Sequence, residues 1–335
     1  MNITDILETC RDNLIISDMF TKANQVINNS GYKNIVASIS GGADSDIVLD
    51  LCERIRNKDV NITYVWFDTG LEYKATKEHL KYLENRYGIE IRRERAIKPI
   101  PVCTREYGQP FLSKYVSYMM QQLQDVNFIW KDLSYEELLE MYPNRVGALK
   151  WWCNCKGSFE DIENSRFNIS RNKYLKEFII FNPPTFRISN KCCDYAKKKV
   201  SNRAIKETNC DLMIIGVRKA EGGIRAAAYK NCYTQGENSY RPLFWFKDED
   251  KRVYERAFDI KHSDCYEKWG FIRTGCVCCL YSQTLFNDLS ITRITEPNMY
   301  KAANSVFKES YEYTRQYRQF VREMKDKEKG RRRLF

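Results

Sequence analysis

Apolar positions along this chain switch between a helical and an extended period, and the switches outline a fold. Ile6, Leu7, Leu14, Ile15, Met19, Phe20, Ala23 and Val26 share one face at helical spacing, predicting a helical segment over 1–30. Ile35 to Ile39 is a continuous apolar run of strand length. Ser40-Gly41-Gly42 breaks it, and Asp46 to Cys52 resumes the helical period. Ile62 to Phe67 reads as a second strand ending in Asp68-Thr69-Gly70, with a helix following to about Tyr87. Ile89-Glu90-Ile91 is the expected third strand, and Leu212 to Ile215, after a basic helix over 196–207, the clearest late one. Strands alternating with helices at this spacing predict an α/β fold, a doubly wound and mostly parallel sheet with right-handed crossovers. Ligands of such sheets sit at the carboxyl ends of the strands, so Asp68, Thr69 and Gly70 are expected beside the Ser40–Ser45 loop.

From 98 to 185 the pattern loosens into proline-punctuated, aromatic-rich helical stretches, read as an insertion. Its Trp151-Trp152-Cys153-Asn154-Cys155 run reads as buried aromatics and spare thiols in preference to a ligand pair. The expected organisation is therefore a helical segment (1–30), a main domain (31–285, with the 98–185 insertion), and a basic helical tail (286–335) ending in Arg331-Arg332-Arg333.

Composition narrows the class. The chain has 335 residues, 43% hydrophobic and 13% aromatic, which suits a folded globule with a real core. No apolar run reaches the ~18 residues of a membrane span. Met1 to Asp5 lacks the charged and apolar regions of a leader, so a cytoplasmic location is expected. In that reducing setting thirteen cysteines point to metal or redox chemistry. The formal charge of +11 points to an anionic partner, a nucleotide or a nucleic acid.

Candidate chemistry gathers in three places. Strand, glycine turn and helix start form a phosphate-binding geometry, because free N–H groups and the helix dipole favour an anion there. Ser40 and Ser45 supply hydroxyls, and Asp44 can hold a ribose or a metal-bound water. No Gly-Lys-Ser/Thr follows, so this is not a Walker A loop, nor is it a dinucleotide fingerprint. After the late strand, Gly216 precedes Arg218 and Arg225, whose guanidinium forks suit phosphate or sulfate oxygens. Finally, Cys192-Cys193 and Cys276-x-x-Cys279 offer four soft thiolates, which select an iron–sulfur cluster or zinc.

Ser40 to Ser45 resembles the PP-loop, Ser-Gly-Gly-x-Asp-Ser, of ATP pyrophosphatases and of the phosphoadenosine-phosphosulfate (PAPS) reductase family. Asp68-Thr69-Gly70-Leu71-Glu72 is similar to the family's second block. Gly216-Val217-Arg218 through Glu221 to Arg225 is similar to its third, with Glu221-Gly222 where relatives carry Glu-Ser. Tyr240 to Phe246 resembles its Pro-Leu…Trp stretch. The resemblance spans about 30–285. It implies an adenine nucleotide alpha hydrolase-like, Rossmann-like domain with a C-terminal cysteine-containing segment. Its nucleotide site would comprise Ser38, Ser40, Gly41, Gly42, Asp44, Ser45, Asp68, Thr69, Gly70, Gly216 and Arg218, with Asp44, Arg218 and Arg225 catalytic. ATP and Mg2+ are the implied ligands, with attack on the α-phosphorus and release of pyrophosphate. Similarity to DNA-phosphorothioation and tRNA-thiolation proteins implies a DNA or RNA acceptor and a cysteine desulfurase as sulfur donor. The Cys-Cys and Cys-x-x-Cys layout matches the 4Fe–4S ligands of adenylyl-sulfate reductases, with Cys265 and Cys278 as substitutes and zinc as the alternative metal. One departure matters: no cysteine lies beyond Cys279, and His79 and His262 precede it, so the reductases' C-terminal nucleophile is missing. The competing readings are a sulfonucleotide reductase using Cys265 or Cys278, and a nucleotide-binding partner subunit without turnover.

Overall fold

The computed structural model describes residue 8 and residues 12–154, 167–222, 228–233 and 238–332. The chain divides into two compact units. The first comprises Met1–Ile97, Ala196–Val277 and Ile294–Met299. The second comprises Lys98–Tyr195, Cys278–Arg293 and Tyr300–Phe335.

The first unit is built on five parallel strands, β1 (Ile35–Ser38), β2 (Ile62–Asp68), β3 (Ile91–Arg95), β4 (Leu212–Ile215) and β5 (Ser239–Tyr240). Their order is β3-β2-β1-β4-β5. β1 is central, with Ile35 opposite Ile62 on one side and Leu212 on the other. Its Ile35, Val36 and Ala37 are buried, which is why this strand reads as a continuous apolar run. The order reverses between β1 and β4, and the loop after β1 lies at that switch point.

Five helices of this unit matter below: α1 (Leu14–Asn28), α2 (Ala43–Ile55), α3 (Lys74–Tyr87), α4 (Lys199–Glu207) and α5 (Asp248–Ala257). α1 starts at Asn13, whose Oδ1 accepts from the Ile16 amide, and buries Ile16, Met19, Phe20, Ala23, Val26 and Ile27. Leu14 and Ile15, expected on that face, are exposed, while Ile6 and Leu7 lie outside the described residues. Phe20 stacks on Tyr254 and meets Phe258 edge-on, joining α1 to α5. The fully buried Asp50 of α2 accepts from Arg54 Nε (2.6 Å), Tyr87 Oη (2.8 Å) and Tyr254 Oη (2.7 Å), which ties α2 to α3 and α5.

The third strand lies further along than expected, over Ile91–Arg95 instead of 89–91. It is an edge strand, held by charge where an inner strand would use apolar side chains. Arg93 pairs with Asp68, and Glu94 takes both Arg92 and Arg203. The basic helix expected over 196–207 begins as a π turn, Asp194–Lys198, and becomes α-helical only at Lys199.

The second unit is helical, with segments at Ile100–Tyr107, Lys114–Gln124, Tyr135–Met141, Val146–Trp152 and Leu175–Phe181. Trp151 and Trp152 lie in its core with Phe111, Met120, Leu149 and Phe178. The tail helix, Pro297–Arg332, is not simply a solvated charged rod. Its Tyr313 and Tyr317 pack into the same core. Among the described residues no helix is long and apolar enough to cross a membrane.

α3 lacks a side-chain cap of its own at Tyr73, and Glu296 supplies one. Its two carboxylate oxygens accept from the Lys74 and Ala75 amides, each at 2.9 Å. Glu296→Ala should therefore lower stability by about 1–2 kcal/mol, read as an earlier urea midpoint at unchanged slope. An unchanged midpoint would show that water caps α3 equally well.

Candidate functional site

The loop between β1 and α2 is organised by its own serines and by three glycines. Ser45 Oγ accepts from the amides of Ser40 (3.2 Å) and Gly42 (3.1 Å) and donates to the Gly42 carbonyl (2.7 Å). Two loop amides thus converge on one oxygen at the head of a 13-residue helix, where the dipole also favours negative charge. Gly41 has φ +68°, and a Cβ there would stand 2.8 Å from Thr76 Cγ2. Gly216, just after β4, lies against the first turn of α2. A Cβ on it would be 3.2 Å from the Asp44 carbonyl oxygen.

Around this loop the side chains are charged and largely buried. Arg218 Nε donates to Asp44 Oδ2 at 2.9 Å, and its Nη1 donates to Asp248 Oδ1 at 2.8 Å. Lys251 Nζ lies 3.3 Å from Asp44 Oδ1. Burial alone would lift the Asp44 carboxyl, but a hydrogen bond with Glu221 and the charges of Lys251 and Arg218 hold it below its usual range. Glu221 moves the other way, raised by burial and by its bond to Asp44. Asp44 is thus the ionised member of the pair and Glu221 the one that holds a proton to higher pH. Two cations are thereby held at the mouth of a loop whose amides suit an anion.

At the end of β2, Asp68 is buried and accepts from the Gly70 amide (2.9 Å) and from Arg93 Nε (2.8 Å). Thr69 Oγ1 donates to Glu72 Oε1 at 2.5 Å, and burial raises the Glu72 carboxyl above its usual range. Asp68, Thr69 and Gly70 therefore form a self-closed turn on the same sheet edge as the loop, one strand away. Ser38 closes β1. Arg225 lies outside the described residues. Lys251 and Glu221 join Arg218 around Asp44 without having been singled out as site residues. Lys251 hides in a mixed-charge helix, whereas Glu221 is the acidic position of the third sequence block.

The cysteines divide between the units. In the second, the Tyr281 phenol is pushed well up, first by burial and then by the charges of Cys192, Cys193 and Cys279. Those three sulfurs share the field of one phenol. Cys276 belongs to the first unit, where its backbone bridges to Glu72. Cys278 is buried at φ +47°, and its Sγ donates to Thr292 Oγ1 at 3.4 Å. Burial pushes the Cys265 thiol up to about 12, so it is a neutral thiol at physiological pH. Among the described residues no group of three or more His, Cys, Asp or Glu side chains is disposed to hold a metal ion. The donor chemistry suits a thiophilic metal, and the spacing does not form a finished ligand set. Cys155 lies outside the described residues.

The family model described as phosphoadenosine phosphosulfate reductase domain matches residues 34–138 and 161–281. A protein of Escherichia phage 186, described as an uncharacterized 37.8 kDa protein, is 25% identical over 260 residues, 74% of this chain and 67% of that protein. The crystal structure of phosphoadenylyl-sulfate reductase from Candida auris, a phosphate complex, aligns with TM-score 0.36 and 11% identity over 78% of this chain and 89% of that one. The U34-tRNA thiolase NcsA from Methanococcus maripaludis, with its [4Fe-4S] cluster, aligns with TM-score 0.38 and 13% identity over 92% and 80%.

Two glycines with left-handed φ separate backbone strain from crowding. Gly88, the cap of α3 at φ +63°, has open space where a Cβ would stand, and Gly41 does not. Gly88→Ala should cost about 1–2 kcal/mol from backbone strain alone. Gly41→Ala should cost more, by roughly 1–3 kcal/mol of overpacking against Thr76. Equal urea midpoints for the two variants would show that the loop yields freely.

Proposed function

The chain belongs to the phosphoadenosine phosphosulfate reductase domain family, a family of nucleotide-binding enzymes, and on that premise we propose that it binds ATP at the Ser40–Ser45 loop and adenylates an acceptor with release of pyrophosphate. The observation that carries this reading is the convergence of the Ser40 and Gly42 amides at the start of α2, with Arg218 and Lys251 held beside them on Asp44. Amides, a helix start and two cations are the elements that neutralise a polyphosphate.

In the proposed step an acceptor oxygen forms a bond to the α-phosphorus. The bond from that phosphorus to the bridging oxygen breaks, and pyrophosphate leaves with the electron pair. The loop amides hold the departing phosphates, and Arg218 and Lys251 offset the charge that develops on them. Catalysis here is positioning and charge neutralisation. Mg2+, when bound with ATP, supplies further neutralisation of the phosphates. The finer reading is sulfur transfer to a nucleic acid. A persulfide supplied through a cysteine desulfurase forms a bond from its outer sulfur to the adenylated centre, and AMP leaves with the electron pair. A thiol reductant then cleaves the S–S bond to leave one sulfur on the acceptor. The charge of +11 supports a polyanionic acceptor.

Cys192, Cys193 and Cys279 are the residues that would hold an iron–sulfur cluster in the second unit, with zinc as the alternative, and the field they share at Tyr281 supports this grouping. Such a cluster, when bound, supplies thiophilic iron. The sulfonucleotide reductase alternative needs a thiolate nucleophile, and the buried, protonated Cys265 argues against that residue in the role.

Calorimetry with ATP should show binding by the wild type and about tenfold weaker binding by Arg218→Gln, the scale of one charge-assisted contact. Pyrophosphate release that depends on added tRNA or DNA would establish adenylation. Binding without release under any acceptor would leave a nucleotide-binding subunit, and sulfite release from PAPS with thioredoxin would establish the reductase instead. In a separate measurement, anaerobically purified protein should contain iron and sulfide in equal amounts, lost in Cys279→Ser. Stoichiometric zinc or no metal would remove the cluster from the proposal.

A further inference from the structure

Both histidines of the chain end on one buried carboxylate. Asp46, in the first turn of α2, is 1% exposed. Its Oδ2 accepts from His79 Nε2 of α3 at 2.9 Å and from His262 Nδ1 at 2.8 Å. The second nitrogen of His262 donates to Glu255 Oε1 of α5, also at 2.8 Å. Glu255 Oε1 lies 3.6 Å from Lys251 Nζ, one turn earlier on α5, and Lys251 reaches Asp44. A line of alternating charge therefore runs from Asp46 through His262, Glu255 and Lys251 to Asp44. Its two ends are two residues apart on α2, where side chains do not face each other. The line closes a ring around the start of the helix that carries the loop.

We propose that His262 is a positioning residue for the phosphate loop: as an imidazolium bridging Asp46 and Glu255, it keeps Lys251 on Asp44 and so sets the charge offered to the bound phosphates. The proposal rests on the nucleotide reading of the loop. The ring explains why both imidazole nitrogens of His262 face carboxylates, an arrangement that requires both to carry protons. If His262 loses one, a bare nitrogen faces a carboxylate oxygen on one side. Glu255 then turns to Lys251 for compensation, and Lys251 is drawn off Asp44. Asp44 is left with less positive charge beside the phosphates, and affinity falls.

Among the groups around His262 the two carboxylates favour its charged form, while burial and the nearby Lys251 cation oppose it. Asp46 faces it from α2, with His79 of α3 on the far side of that carboxylate. Glu255 and Lys251 face it from α5, the Tyr266 ring lies 5.8 Å away, and the His262 amide donates to Glu267. Burial lowers its affinity for a proton, but the bonds to Asp46 and Glu255 win and raise it from 6.5 to about 9. The folded value is the higher one. The stabilisation from this ring is thus complete below about 6.5, and it is lost as pH rises through about 9.

The test exploits the presence of only two imidazoles. Histidine-labelled full-length protein gives two sets of ring signals, assigned with His79→Gln. The His262 ring should titrate near 9, and the amide signals of Gly41 and Gly42 should shift with the same midpoint. In His262→Gln the loop shift in that range should vanish. Glu255→Gln, at a partly exposed position that is safer for folding, should lower the ring and loop midpoints together. ATP affinity, measured by calorimetry, should weaken above the midpoint by up to about tenfold per pH unit, the limit for one linked proton. A ring midpoint at the ordinary histidine value overturns the proposal. So does a loop midpoint that stays near 9 in Glu255→Gln. Absence of ATP binding at every pH overturns the nucleotide reading, while the loop amides still decide the coupling.

Discussion

Placing three aspartates, Asp44, Asp46 and Asp50, on one largely buried helix obliges the rest of the first unit to bring them partners. Asp44 takes Arg218 and Lys251, Asp46 takes both histidines, and Asp50 takes Arg54 and two tyrosines. Apart from Arg54 on α2 itself, every partner comes from another segment, several of them some two hundred residues away. Leaving one such carboxylate without its partner costs about 3–5 kcal/mol, a large share of a domain's net stability. The strand ends and α5 are thus held to α2 by charge as well as by apolar packing, and the loop at its head inherits that rigidity.

The same arrangement gives the loop its chemistry. Phosphate binding needs donors that do not rearrange on ligand arrival, because reorganisation would consume the binding energy. Here the amides of Ser40 and Gly42 are oriented by Ser45, and a side chain at Gly216 would crowd the Asp44 backbone. Arg218 and Lys251 are mostly buried along their stems, so little side-chain entropy remains to be lost on binding.

The second unit follows a different logic. Its core is aromatic, with Trp151, Trp152, Phe111 and Phe178 packed against tyrosines of the long tail helix. Burial and the charges of Cys192, Cys193 and Cys279 together raise its Tyr281 phenol.

How much of this was legible from residue order depends on the range of the interaction concerned. β1, β2, β4 and the glycine loop were, because an inner strand buried on both faces tends to be continuously apolar, and a left-handed turn crowded against Thr76, as at Gly41, favours glycine. Asp44 and Arg218 were named as candidates through sequence motifs, while their hydrogen bond to each other was not. β3 was misplaced because an edge strand can be held by Arg–Glu and Arg–Asp pairs, which carry no apolar period. The packed face of the tail helix was overlooked because its charges dominate the pattern while its tyrosines decide the packing. The sequence by itself thus determined the three inner strands and the glycine loop, and offered the anion chemistry as a candidate, all of which depend on neighbours within a few residues. Only the tertiary structure decided that His79 and His262 share Asp46, that Lys251 reaches Asp44, and that the Glu221 carboxyl is raised by burial and by its bond to Asp44. Those depend on burial and on groups brought together by the sheet, and a charged residue looks the same in sequence whether it faces water or a partner.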